Sequence, residues 1–134
     1  MNTARFFSVL GAISALLMFS STISAAECIR PKVSGYKRVG CLNEGLAVVS
    51  KDMKYGAVDE KGTVIVPLEY DFIADFKENL AHAKKGKKKG YINKTGEVVI
   101  PFEYDIAQDF ENGKAKVHKM DQWFYIDTQG KVVP

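Results

Sequence analysis

Four aspartates could form acid–base pairs, Asp71 with Asp75 and Asp105 with Asp109, the second pair standing 34 residues after the first. Paired carboxylates do such chemistry when their environments differ, so that one keeps a proton the other has lost. Copies at equivalent positions share one environment, which points to turn or capping hydrogen bonds instead. Lys37 and Cys41 hold these places one period earlier, and no calcium-loop spacing surrounds the aspartates. His82 and His118 align with Val48 and Ser50, so they are not equivalent to each other, and neither has a histidine or cysteine at metal-ligand spacing. There is no Gly-x-Ser-x-Gly elbow, and the run from Gly86 to Gly90 is filled with lysine and lacks the phosphate-loop pattern. No base, nucleophile and orienting group come together. The expectation is a chain that is not an enzyme, with no catalytic residue, cofactor or metal.

What remains is suited to contact. Tyr55, Tyr91, Trp123 and Tyr125 fall on one face of a recurring strand and are candidate partner-binding residues, because aromatic side chains bury much area at little entropic cost. The competing reading is that they pack between repeats. Lys84, Lys85, Lys87, Lys88 and Lys89 put five lysines within six positions and are candidate anion contacts. A solvated hairpin tip is the plainer account of them. The chain's net charge is only +3, and the loops aligned with this tip are not comparably basic, so the field expected of a nucleic-acid binder is absent.

The elements that hold these residues repeat. Tyr36, Tyr70 and Tyr104 stand 34 residues apart and open units 36–69, 70–103 and 104–134, which align without a gap. Gly45-Leu46-Ala47-Val48-Val49 matches Asn79-Leu80-Ala81-His82-Ala83 and Gly113-Lys114-Ala115-Lys116-Val117; Leu42, Phe76 and Phe110 coincide. Each unit reads as three strands, in the first unit about 46–51, 55–59 and 63–66, with Pro67 ending the third because proline cannot donate to a ladder. Residues 70–76 and their equivalents read as an extended connector or a short extra strand. Asp59-Glu60-Lys61-Gly62, Asn93-Lys94-Thr95-Gly96 and Asp127-Thr128-Gln129-Gly130 read as one tight turn used three times, with glycine at positive φ. Alternation along the first strand turns Ala47, Val49, Ala81, Ala83, Ala115 and Val117 inward, while the opposite face changes from Leu46 and Val48 to Lys114 and Lys116. The third strand, apolar at Val64-Ile65-Val66 and Val98-Val99-Ile100, reads as covered on both faces.

Ahead of the repeats, Arg5, an apolar run over 6–19 and Ser24-Ala25-Ala26 have the form of a helical signal peptide, residues 1–26, cleaved near Ala26. The run is short for a span, which needs about 20 apolar residues. Glu27 sits where a lipidation site at Cys28 would have a small residue. Export makes a Cys28–Cys41 disulfide the expected pairing, with residues 27–35 as an N-terminal cap. Three small units are too few for a closed propeller, so the expected fold is all-β, three tandem repeats of antiparallel hairpins in an open curved stack.

The units are similar to those of the WG-repeat family. Phe76 with Asn79-Leu80-Ala81, Gly90-Tyr91-Ile92, Gly96, Val99-Ile100-Pro101 and Tyr104-Asp105 carry the resemblance, which covers 36–134. The naming Trp-Gly pair is degenerate: the units show Tyr55-Gly56, Lys89-Gly90 and Trp123-Phe124. The resemblance implies repeated hairpins and a general interaction role, and it brings no catalytic motif. Together these readings give an exported interaction module, periplasmic or at a bacterial cell surface, that binds an unknown protein partner. The alternative is electrostatic docking of the lysine tip on anionic envelope material, and neither reading involves nucleic acid.

Overall fold

The computed structural model describes residues 27–134, and over them the chain forms twelve strands joined by turns. The expected leader, 1–26, lies outside the described residues. The first sheet is β1 (Arg38–Asn43), β2 (Leu46–Lys51), β3 (Lys54–Asp59) and β4 (Val64–Tyr70). The second is β5 (Phe72–Ile73), β6 (Leu80–Lys85), β7 (Lys88–Asn93) and β8 (Val98–Tyr104). The third is β9 (Ile106–Ala107), β10 (Lys114–Lys119), β11 (Gln122–Asp127) and β12 (Val132–Val133). Spatial neighbours are sequence neighbours and all pairings are antiparallel, so each sheet is a meander.

The recurring turn has the expected form. Gly62, Gly96 and Gly130 sit at φ 88°, 88° and 85°, where a side chain would be strained. Each glycine N–H donates to the carbonyl of the Asp or Asn three residues earlier. The side chains of Asp59, Asn93 and Asp127 each accept two further backbone N–H groups, which closes the turn from within.

Of the two readings of the connector, the short extra strand holds: it supplies β1, β5 and β9, which gives each sheet four strands. Two expectations about strands need correction. Pro67 and Pro101 do not end their strands; β4 and β8 run on to Tyr70 and Tyr104. Tyr55 pairs with Tyr70 and Ala57 with Val66, so Pro67 falls in a bulge where the ladder asks nothing of its missing N–H. The third strand is also not covered on both faces. It is an outer strand of its sheet, leaving Val64 and Val98 about half exposed and only Val66 and Ile100 fully buried.

The bulge explains a glycine. A Cβ on Gly56 would lie 2.5 Å from the Val66 carbonyl oxygen, and one on Gly90 would lie 2.5 Å from that of Ile100. These are the second positions of the Trp-Gly pair, so what that glycine supplies is room for the neighbouring strand. Phe124 holds the same place in the third sheet, where β11 and β12 pair at Tyr125–Val133 and Ile126–Val132.

The sheets stack face on face. Leu46, Val48, Ala57 and Val66 of the first sheet share a core with Ile73, Ala81, Ala83 and Ile92 of the second. Leu80, Tyr91 and Ile100 of the second share the next core with Ala107, Ala115, Val117 and Ile126 of the third. Phe76 and Phe110 sit in these two cores at 1% exposure each. The inward alternation expected for β2, β6 and β10 holds, since Ala47, Val49, Ala81, Ala83, Ala115 and Val117 are all buried. Among the described residues the core clusters join adjacent sheets alone, which makes the stack open.

A second device links the units along one edge. The N–H groups of Glu78 and Asn79 donate to the two carboxylate oxygens of Glu44, each at 2.8 Å. One repeat later the N–H groups of Asn112 and Gly113 donate to Glu78 at 2.6 and 2.8 Å. Each carboxylate thus accepts both outward donors of the next unit's hairpin turn, a charge-assisted fork that fixes the stacking register. Asn112 follows Glu44 and Glu78 in the third unit.

The first sheet's other face, Ala47, Val49 and Val58, is covered by Tyr36 and Leu42, and Val33 reaches over Gly62. The Cys28–Cys41 disulfide ties this N-terminal segment to β1, with the two Cα atoms 5.0 Å apart. The Leu42 N–H donates to the Ile29 carbonyl at 2.7 Å beside it. Replacing both cysteines by serine should remove about 3 kcal/mol of stability, the loop-closure value for a loop of this size. Urea unfolding of the double variant measures this, and an unchanged midpoint would mean that the segment is held without the bond.

Candidate interaction surface

One strand face carries the aromatic candidates, and stacking decides which of them reach solvent. Tyr55, Ala57 and Tyr91 point towards the following unit, and Trp123 and Tyr125 lie on the equivalent face of the third sheet. Tyr91 is fully buried there: its ring meets Phe110 edge-on at 4.8 Å, and its hydroxyl donates to the Gln108 carbonyl at 2.6 Å. Burial pushes its phenol far above the ordinary value. Tyr91 is therefore a strut between the second and third sheets and no part of a surface. Tyr55 is half-buried against Phe72, ring centroids 5.6 Å apart.

In the third sheet the same face has no following unit among the described residues. Trp123 is 47% exposed and Tyr125 39%. Lys114 stands over the Tyr125 ring at 5.1 Å, and Lys116 over the Trp123 ring at 5.2 Å. His118, cross-strand from Trp123, meets its ring at 4.9 Å. The lysines take the positions of Leu46 and Val48 in the first sheet, so the face is an aromatic floor overlain by cationic chains. Cation–π contact keeps the aromatic rings and ammonium groups in one layer.

The five lysines flank or form the β6–β7 hairpin tip, and the fold uses two of them. Lys85 pairs with Glu69 at 3.3 Å and Lys88 pairs with Asp105. Lys84, Lys87 and Lys89 have no ion pair among the described residues.

Asp71, Asp105 and Asp109 are architectural, and most of their bonds run between units. Asp71 accepts from Lys54 of the first sheet at 2.8 Å and from the Gly86 N–H of the second sheet's tip at 2.7 Å. The Lys54 hydrogen bond, ahead of the Gly86 N–H, holds its carboxyl below the usual range. Asp105, bonded to Lys88, is lowered in the same way. Asp109 accepts from Lys77 at 3.0 Å and lies 3.2 Å from His82 Nε2. Burial outweighs that carboxylate and pushes the imidazole of His82 below its ordinary value. Among the described residues His82 Nδ1 has no hydrogen-bond partner. Among the described residues no cluster of three His, Cys, Asp or Glu side chains is close enough to hold a metal ion.

The Glu44 and Glu78 fork was not anticipated from sequence. Its signal was two glutamates at one repeat position, each in a two-residue turn.

Residues 55–88 and 90–119 each match a family profile described as WG containing repeat. The two windows run from a Trp-Gly position of one sheet into the hairpin of the next, so each spans a sheet boundary. No curated protein and no solved structure matches the chain.

Proposed function

Because this chain belongs to the WG containing repeat family, through residues 55–88 and 90–119, we propose that it is an exported, non-catalytic interaction module that takes a protein partner on the outer face of its third sheet. The observation carrying this reading is one of position. The strand face buried by the next unit in the first two sheets is uncovered in the third among the described residues, and there it presents Trp123 and Tyr125. Exposed aromatics on a rigid sheet make efficient anchors, since little conformational freedom is lost on contact. The signal-like 1–26 segment and the Cys28–Cys41 bond support a periplasmic or cell-surface location, where disulfides persist.

A photo-crosslinker at Lys116, used in intact producing cells, tests this. It should capture one defined protein, and capture should fall by about tenfold or more in the Trp123→Ala/Tyr125→Ala variant, as expected for paired anchors. Recovery of nonspecific background alone, or capture indifferent to the two aromatics, would contradict the proposal.

A second reading has its own observation, the three tip lysines without ion pairs. Docking on anionic envelope lipid would use Lys84, Lys87 and Lys89, each worth about 1 kcal/mol near such a surface. Replacing these three by serine spares Lys85 and Lys88, which the fold uses. Vesicle binding should then fall by about a hundredfold and show the salt dependence of screened charge. Binding that survives the replacement rules this reading out.

A further inference from the structure

A cleft of about 460 Å³ opens between the first and second sheets, lined by β1 on one side and by β5 and its connector on the other. This boundary differs from the next one in a way the repeat makes plain. Between the second and third sheets, Tyr91 spans the gap and bonds the Gln108 carbonyl. Ala57 stands in Tyr91's place one unit earlier and Ala74 in that of Gln108, so no equivalent strut crosses the first boundary. Ala74 lines the cleft. The volume falls within the range of about 300–1,000 Å³ usual for small-molecule sites.

The walls have a defined chemistry. Tyr55 and Phe72 form an aromatic corner, ring centroids 5.6 Å apart, and Val39, Val48 and Ile73 extend the apolar wall. Arg30 and Arg38 stand at the rim, and neither has an ion pair among the described residues. The Arg30 Nε donates to the Val39 carbonyl at 3.0 Å, which leaves its terminal nitrogens to reach a ligand. On the opposite wall Asp109 is already engaged by Lys77 and His82, so its charge is answered within the protein. Asp75 is the one other lining carboxylate, and the two guanidiniums outnumber it.

We propose that this cleft binds a small organic carboxylate with an apolar or aromatic body. The carboxylate is held by the forked donors of Arg30 and Arg38, and the body lies against Tyr55 and Phe72. Guanidinium matches carboxylate geometry two bonds at a time. An inorganic anion would satisfy the arginines and leave the apolar wall wet; a neutral aromatic would do the reverse. The site depends on the N-terminal segment, because Arg30 lies two residues from Cys28 and the disulfide fixes that segment on β1. It is separate from the Trp123 and Tyr125 face, and its standing does not depend on that proposal.

The test is an NMR titration of the full mature protein with phenylacetate, benzyl alcohol and inorganic phosphate, each separately. Phenylacetate should give saturable shifts at Phe72 and His82, and benzyl alcohol and phosphate should bind about tenfold more weakly or worse. The Arg30→Gln/Arg38→Gln variant, altered only at exposed side chains, should lose about tenfold in phenylacetate affinity. Reduction of the disulfide should weaken phenylacetate binding and leave benzyl alcohol unaffected. Absence of saturable shifts overturns the proposal. So does equal binding of phosphate or benzyl alcohol by the unaltered protein, a comparison that needs no variant to fold.

Discussion

Phe110→Ala is expected to cost about 3–5 kcal/mol of unfolding free energy, the range for truncating a buried phenylalanine. Phe110 reaches from the third unit into the core it shares with the second, is 1% exposed, and packs edge-on against Tyr91. Its removal withdraws one side of the boundary that orders the third sheet, and domains of this size have only about 5–15 kcal/mol in total. Phe76→Ala should match it, since Phe76 holds the same place at the first boundary. Leu42→Ala should cost less. Leu42 is half-buried beneath the N-terminal segment and lies outside both inter-sheet cores. Urea unfolding of the three variants checks the ranking, and a Phe110→Ala loss below about 1 kcal/mol, well short of that range, would contradict the packing described.

Gly90→Ala is expected to destabilise by about 3 kcal/mol, at the upper end for an added methyl with nowhere to go. The new Cβ would stand 2.5 Å from the Ile100 carbonyl oxygen and 2.8 Å from the Pro101 carbonyl carbon, both backbone atoms that no rotamer change can move. Gly86→Ala is the control. Its Cβ meets nothing within 4 Å, so only the strain of φ 72° remains, about 1 kcal/mol. Chemical denaturation of both variants measures the difference, and equal losses would mean that the bulge opposite Gly90 yields easily.

The 34-residue period, the glycine-closed turn and the inward face of the first strand were legible because each is a local pattern copied three times. The strand through Pro67 was less legible, since proline stops a ladder only where the ladder needs its N–H, and a bulge removes that need. Tyr91 and Trp123 show where alternation stops being informative. Both lie on one strand face, but only the order of stacking buries the first and leaves the second open. The lysine cluster read as free charge because its partners, Glu69 and Asp105, belong to the strand ends at the two sheet boundaries. Asp71 was rightly placed in the architecture, although it bonds to Lys54 of the preceding unit and to the hairpin tip at Gly86, and not within its own turn.

Each unit shields its neighbour's apolar face in a fixed register, and side-chain NOEs report that register. Gly130 of the third sheet's turn lies against Ile100 of the second; a Cβ built on it would be 3.5 Å from an Ile100 methylene carbon. NOEs from the Gly130 Hα protons to the Ile100 methyl groups, together with NOEs between the Tyr91 and Phe110 rings, are the predicted result. Their absence in a folded protein, or NOEs joining the first sheet's core directly to the third, would contradict the stack.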